Sequence, residues 1–211
     1  MRTGAGTTAV IVLAGGASTR FGSDKLAATL DGVPLLQHAV QNLPDDWELI
    51  IVGPPRSLPR PVRFVREDPP DGGPGAGLVA GARAALAGGS TMIATMPGDA
   101  PQGSTAARVL AGTLAAAPDP VVAVIGTDVA GTDQPLQLAA RGPALRRLAD
   151  RADVHNIRAR ALLDDLAAVG DVVRLALPPL LTADVDRPTD LAAFQDQLGR
   201  PDQDHFSQDR N

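Results

Sequence analysis

The chain has 211 residues, of which 44% are hydrophobic and 20% charged, so it is long and apolar enough to bury the core of one domain. The absence of cysteine excludes a disulfide scaffold and a thiolate-bound metal, and a net charge of −5 with 2% aromatic residues argues against nucleic-acid partners. No apolar run reaches the roughly 18 residues of a membrane span and no signal-peptide pattern is present, so we expect a cytoplasmic protein without a membrane partner.

Apolar runs of strand length alternate with alanine-rich helical patterns along most of the chain. The predicted strands cover residues 8–14, 48–52, 62–66, 91–96, 121–125, 135–139 and 172–177. The predicted helices cover residues 34–42, 76–87, 104–117, 143–150, 157–168 and 189–197. We expect residues 1–199 to form a single domain and the polar residues 200–211 to form a disordered tail.

This alternation predicts an α/β fold of three layers, in which helices cover both faces of a mostly parallel, Rossmann-like sheet. Such sheets bind ligands at the carboxyl ends of their strands. The loops that follow Ala14, Val52, Arg66 and Met96 are therefore the places where we expect a site.

The loop after the first strand combines paired glycines with positive charge. Gly15 and Gly16 let the backbone approach a ligand closely, and Arg20 and Lys25 add two cations within six residues. Lys25 is the only lysine among the 19 basic residues of the chain. The pattern is not a Walker A loop, and it predicts a polyphosphate cradle, with an ordinary strand-to-helix loop as the alternative.

The segment 13–25, LAGGASTRFGSDK, resembles the signature LAGGxSxRxGxDK of the molybdenum cofactor guanylyltransferases, which belong to the MobA-like nucleotidyltransferases. Further stretches resemble the family in order and spacing, so that the resemblance covers roughly residues 8 to 197. These stretches are residues 67–74, 96–101, 134–136 and 184–191.

The resemblance implies a role for individual residues. It assigns nucleotide binding to Leu13, Ala14, Gly15, Gly16, Lys25, Asp68 and Asp99. It assigns catalytic roles to Arg20, Lys25 and Asp99. It further implies that Mg²⁺ is bound by Asp99 and by Asp186, which stands where related enzymes place a second acidic or amide residue.

The activity implied by the resemblance is transfer of GMP from GTP to molybdopterin, with Mg²⁺ as cofactor and release of pyrophosphate. The alternatives are transfer from CTP, transfer to another small phosphate, and a nucleotide-binding protein without activity. The partners expected are GTP or CTP and a pterin or other small phosphate, on a monomer or weak homo-oligomer. The base stays open, because the family's asparagine after the second strand is replaced here by Gly53-Pro54-Pro55.

Charged residues in the second half have less specific patterns. Arg147, Arg151 and Asp165 lie on predicted helical segments, and we expect them to face solvent. His155 and Arg158 lie where the family binds its pterin substrate, so substrate contact is one interpretation and an ordinary loop position is the other.

Overall fold

The computed structural model describes residues 7–15, 21–68, 70 and 72–198, and the tail predicted at 200–211 lies outside them. The strands are β1 (Thr8–Leu13), β2 (Thr29–Leu30), β3 (Val33–Pro34), β4 (Glu48–Val52), β5 (Arg63–Val65), β6 (Met92–Pro97), β7 (Val121–Thr127), β8 (Asp133–Arg141) and β9 (Asp171–Ala176). The helices are α1 (Leu35–Val40), α2 (Gly73–Ala87), α3 (Gly103–Ala116), α4 (Pro143–Ala149), α5 (Ala161–Ala167), α6 (Pro179–Thr182) and α7 (Pro188–Leu198). Within these described ranges, no helix combines the length and the hydropathy that a membrane span requires.

Seven strands form one sheet in the order β5-β4-β1-β6-β8-β7-β9. β1 pairs in parallel with β4 and β6, β4 with β5, and β7 with β9, whereas β8 is antiparallel to both of its neighbours. The prediction of a mostly parallel sheet is thus confirmed. The carboxyl ends of β5, β4, β1 and β6 lie side by side along one edge.

Side chains of β1 alternate between two cores on opposite faces of the sheet. Ala9 and Ile11 pack in the core that contains residues of α2, α4 and α5, and Val10 and Val12 pack in the core that contains residues of α1 and α3. All four are fully buried, as expected for a parallel strand covered on both faces. The three-layer α/β/α architecture is therefore confirmed.

Several elements differ from the sequence prediction at their ends. α2 begins at Gly73, three residues earlier than predicted, because packing overrides the low helix propensity of its glycines. β8 extends over residues 133–141 and α5 covers only residues 161–167. The hairpin β2–β3, the helix α6 and a 3-10 turn at Lys25–Ala27 were not predicted, since elements of two to four residues carry no periodic signal.

The expectation that Asp165 faces solvent is wrong. Asp165 is buried, and its carboxylate accepts a hydrogen bond of 2.8 Å from Nη2 of Arg147 and a second one from Nη1 of Arg151. Two guanidinium groups compensate a carboxylate that would otherwise be costly to bury. The cluster links α4 and the residue Arg151 that follows it to α5.

Helix α2 lies close to β1 because Gly81 has no side chain. A Cβ at this position would be 2.3 Å from Cγ2 of Ile11, which is itself fully buried. Gly112 on α3 offers a contrast, because a Cβ there meets no described atom within 4 Å.

We expect Gly81→Ala to destabilise the protein by about 1–3 kcal/mol, because the added methyl overpacks the α2–β1 contact. Gly112→Ala is the matched control and should stabilise by about 0.5–1 kcal/mol through helix propensity. Urea-induced unfolding of both variants measures the difference. Equal stabilisation by both substitutions would contradict the close packing of α2 on β1.

Candidate functional site

A cavity of about 280 Å³ lies at the carboxyl ends of β5, β4, β1 and β6. This is the edge of the sheet that the strand pattern indicated. Its lining combines apolar side chains, glycines and two carboxylates. The described lining residues are Leu13, Gly15, Val52, Glu67, Gly73, Pro74, Gly77, Pro97, Asp99 and Leu136.

Two glycines allow the loops after β1, β4 and β6 to touch through their backbones. The N–H of Gly98 donates to the carbonyl of Leu13 at 2.9 Å, and a Cβ on Gly98 would stand 3.0 Å from that oxygen. A Cβ on Gly53 would stand 2.7 Å from the carbonyl oxygen of Ala14. The backbone of residues 13–15 is therefore fixed between its two neighbours, where it faces the cavity.

Three carboxylates converge beside this cavity. Asp99 follows β6, and Asp184 and Asp186 belong to the segment that precedes α7. Each offers an oxygen, and these oxygens lie within 4.8 Å of one another. The N–H of Val185 donates to the carbonyl of Asp99 at 3.0 Å, which joins the two segments directly.

The ammonium of Lys25 lies among these carboxylates. Its Nζ forms an ion pair with Asp99, lies 3.5 Å from Oδ1 of Asp186 and donates to the carbonyl of Val185 at 3.3 Å. Burial alone would lower the pKa of Lys25, but Asp99 and Asp186 more than offset this and raise it above its usual value. Lys25 is therefore protonated at neutral pH.

The segment that carries Asp186 is held by the first turn of α7. The carboxylate of Asp190 accepts from the N–H of Asp186 at 3.0 Å and from that of Arg187 at 2.8 Å. Hydrogen bonds from these N–H groups lower the pKa of Asp190. The Asp190 side chain thereby caps the N-terminus of α7. The acidic residues thus stand on a segment whose backbone is anchored at both ends.

The donor set fits a hard divalent cation. It consists of carboxylate oxygens only, and Mg²⁺ is bound in proteins by carboxylates together with phosphate oxygens and water. Three carboxylates and one ammonium leave two negative charges at this point. Partial desolvation and the charges of Asp99 and Asp186 raise the pKa of Asp184, so these surroundings disfavour its ionised form.

The structure brings most of the predicted site residues together. Leu13, Gly15 and Asp99 line the cavity, and Ala14 lies between the first two. Asp186 and Lys25 lie in the group of carboxylates that includes Asp99. Gly16 and Arg20 lie outside the described residues, so their predicted roles stay predictions.

Of the two acidic residues that follow β5, Glu67 lines the cavity, whereas the sequence analysis assigned nucleotide binding to Asp68. Asp68 is exposed and is not among the described residues that line the cavity, whereas its neighbour Glu67 is. Sequence reasoning did not single out Glu67 or Asp184, although both stand in the quoted stretches 67–74 and 184–191. A second acidic residue close to each predicted one was the available signal: Glu67 precedes Asp68, and Asp184 stands two positions before Asp186.

Comparison with known proteins gives a family and a fold. The model of the MobA-like NTP transferase domain matches residues 10–169. A search of curated proteins found no match. Among solved structures, molybdopterin-guanine dinucleotide biosynthesis protein A from Archaeoglobus fulgidus is 20% identical, with a TM-score of 0.63 over 91% of this chain and 98% of its own.

Two further solved structures share the fold. Rv0371c from Mycobacterium tuberculosis H37Rv is 21% identical, with a TM-score of 0.63 over 90% of this chain and 98% of its own. A CMP:2-keto-3-deoxy-manno-octonic acid synthetase complexed with CTP is 12% identical, with a TM-score of 0.65 over 91% of this chain and 98% of its own. At these identities the likeness extends to the fold alone.

We expect Asp184→Asn to raise the melting temperature at neutral pH in metal-free buffer, because it removes a carboxylate whose ionised form the folded state disfavours. The raised pKa of Asp184 means that its destabilising effect appears as the pH rises through the folded-state pKa. The gain should therefore disappear as the pH falls below the ordinary value of 3.8, where the carboxyl is protonated in both the folded and the unfolded chain. Thermal unfolding across this pH range measures it.

Asp46→Asn is the control, because Asp46 is exposed and has no hydrogen bond or ion pair to any described residue. It should leave the pH dependence unchanged. A loss of stability at neutral pH in Asp184→Asn alone would contradict the mutual repulsion of the three carboxylates.

Proposed function

We propose that this chain, which belongs to the MobA-like NTP transferase family, transfers GMP from GTP to the phosphate of molybdopterin and releases pyrophosphate. The family is one of nucleotidyltransferases, and the choice of guanine and of the pterin acceptor is the part proposed here. The proposal depends mainly on one observation. One cavity is lined both by Asp99, which belongs to the acidic cluster of Asp99, Asp184 and Asp186, and by Glu67, which lies outside that cluster.

These two carboxylates follow β6 and β5, which are separated by β1 and β4 in the sheet. Three strand spacings correspond to about 14 Å. That span is of the order of the length of a nucleoside triphosphate. This match supports an orientation in which the phosphates lie near Lys25 and Asp99 and the base lies near Glu67.

The reaction is attack by an oxygen of the acceptor phosphate on the α-phosphorus of GTP. The bond from the α-phosphorus to the bridging oxygen breaks, pyrophosphate leaves with the electron pair, and a new phosphoanhydride forms. A phosphate monoester has a second pKa of about 6, so it is ionised at neutral pH and needs no general base. The chain's own contribution is charge neutralisation by Lys25 and alignment of the phosphates by the backbone of residues 13–15.

Asp99, Asp184 and Asp186 are the residues that would hold Mg²⁺. A bound Mg²⁺ supplies further charge neutralisation on the phosphate oxygens. The ion pair with Lys25 orients the carboxylate of Asp99.

Glu67 supports the choice of guanine. Its carboxylate has no hydrogen-bond or ionic partner among the described residues, and it shares the cavity lining with the apolar residues Leu13, Val52 and Pro74. A partly buried carboxylate needs donors, and guanine offers two on one edge, N1–H and the N2 amino group. Cytosine offers one amino group beside an acceptor nitrogen, which a carboxylate disfavours.

The loop before α5 supports an acceptor site next to the start of α2. The carbonyl of Ile157 accepts from the N–H of Gly75 at 3.2 Å, so this loop lies against the start of α2. Gly73 and Pro74 of the same turn line the cavity. His155 and Arg158 flank Ile157 and are the side chains that we propose for contact with the pterin substrate.

The first experiment is thermal unfolding with GTP, CTP, ATP or UTP, each with Mg²⁺, followed by a pyrophosphate-release assay with molybdopterin. We expect selective stabilisation by GTP, of about 2.7 kcal/mol at about 100 times its dissociation constant. In Asp99→Asn, transfer should fall by about 100-fold or more. Selective stabilisation by CTP would move the assignment to cytidylyl transfer, and no effect of any nucleotide would contradict the proposal.

Base choice is tested by Glu67→Gln. An amide presents one acceptor and one donor, which complement N1–H and the 2-carbonyl of xanthine. We therefore expect kcat/KM to fall by about 10- to 100-fold for GTP and to rise for XTP. Asp68→Asn is the matched variant and should leave the preference for GTP unchanged. A switch to XTP in Asp68→Asn alone would transfer the role from Glu67 to Asp68.

A further inference from the structure

We infer that Arg56 is a positioning residue for Lys25, which it acts on through Asp24. The consequence for catalysis rests on the proposed function, since it requires that Lys25 meets the nucleotide phosphates. The contacts themselves do not depend on that function. They connect the loop after β4 to the acidic cluster at the end of β6.

Arg56 and Asp24 form a two-pronged ion pair. Nη1 of Arg56 donates to Oδ2 of Asp24 at 2.6 Å, and Nη2 donates to Oδ1 at 3.0 Å. The Arg56 side chain is 22% exposed, and its Nε is buried without a described partner. This hydrogen bond is the largest cause of the lowered pKa of Asp24, so the pair is ionised at neutral pH.

The backbone around Arg56 limits where its guanidinium can go. Arg56 directly follows Gly53-Pro54-Pro55, and each proline fixes one backbone dihedral. The N–H of Gly53 donates to the carbonyl of Val65 at 3.0 Å, which ties the start of this stretch to β5. Arg56 therefore lies on a loop with restricted backbone freedom, and its guanidinium holds the carboxylate of Asp24.

Asp24 in turn sets the orientation of the 3-10 turn that carries Lys25. Its Oδ1 accepts from the N–H of Leu26 at 3.2 Å, and its carbonyl accepts from the N–H of Ala27 at 3.1 Å. Leu26 is buried in the core beside α1 and α3. With Leu26 in the core and Asp24 fastened to Arg56, Lys25 is directed to the opposite side, where it meets Asp99.

Positioning matters for this residue because a lysine side chain is long and has many rotamers. An exposed ion pair contributes little to stability, so a purely structural role predicts almost no effect of its loss. A positioning role predicts a different outcome. The melting temperature changes little, while the order of the Lys25 side chain and the rate of transfer both fall.

The composition of the chain makes this directly measurable. Lys25 is the only lysine, so protein grown with ¹³C- and ¹⁵N-labelled lysine gives the signals of one side chain. We expect the ε-methylene signal of the full chain to show restricted motion in the wild type and averaged motion in Arg56→Gln. The same averaging is expected in Asp24→Asn, because asparagine keeps the cap on Leu26 but loses the ionic pair.

Arg60→Gln is the matched control. Arg60 lies four residues after Arg56 and donates to the carbonyls of Leu43, Pro44 and Trp47, without a contact to Asp24. Its loss should leave the Lys25 signal and kcat unchanged. Its effect is confined to stability.

Kinetics with GTP and molybdopterin give the second readout. Arg56→Gln and Asp24→Asn should each lower kcat/KM about tenfold, and the double variant should be no slower than either single variant. Arg56→Lys restores only part of the rate, because an ammonium cannot form the two-pronged pair. It is used only for kinetics, since it adds a second lysine.

An unchanged Lys25 signal in Arg56→Gln, or additive effects of the two substitutions, would overturn the inference. The labelled-lysine measurement needs no nucleotide, so it separates two failures. A changed signal in a protein that transfers no nucleotide would refute the proposed function and uphold the positioning role.

Discussion

An ammonium held among three carboxylates is the interaction on which the whole site depends. Neither partner is stable there alone, because Asp99, Asp184 and Asp186 repel one another and the amine of Lys25 is partly desolvated. Bringing the four groups together requires the loop after β1, the loop after β6 and the segment before α7 to meet at one point. The 3-10 turn positions Lys25, and the cap on α7 positions the segment that carries Asp186.

The sheet could be predicted from sequence because its signal is local and strong. The unbroken apolar runs of β1 and β4 are typical of strands buried on both faces, and the glycine-rich loops mark where these strands end. The start of α2 could not be predicted in the same way. Its glycines indicate a loop by propensity, and only the neighbouring chain at Ile11 and Ile157 shows why they are helical.

The site was predictable to the level of segments rather than of side chains. Lys25, Asp99 and Asp186 were singled out by a motif, and the structure places them in one cluster. Only one of the two consecutive residues Glu67 and Asp68 lines the cavity. The sequence does not indicate which one, because the side-chain orientation in an irregular loop has no periodic signal. The pair of Arg56 with Asp24 spans 32 positions and belongs to no motif, so only the folded chain reveals it.

The glycines of α2 also determine how the cavity wall behaves as a thermodynamic unit. Gly75, Gly77 and Gly81 each cost about 1 kcal/mol of helix propensity relative to alanine. The first turns of α2 are therefore helical because they are docked on Leu13, Ile11 and the carbonyl of Ile157, and an undocked helix would fray there. Gly73, Pro74 and Gly77 line the cavity, so packing against the neighbouring chain, rather than helix propensity, maintains this part of its wall.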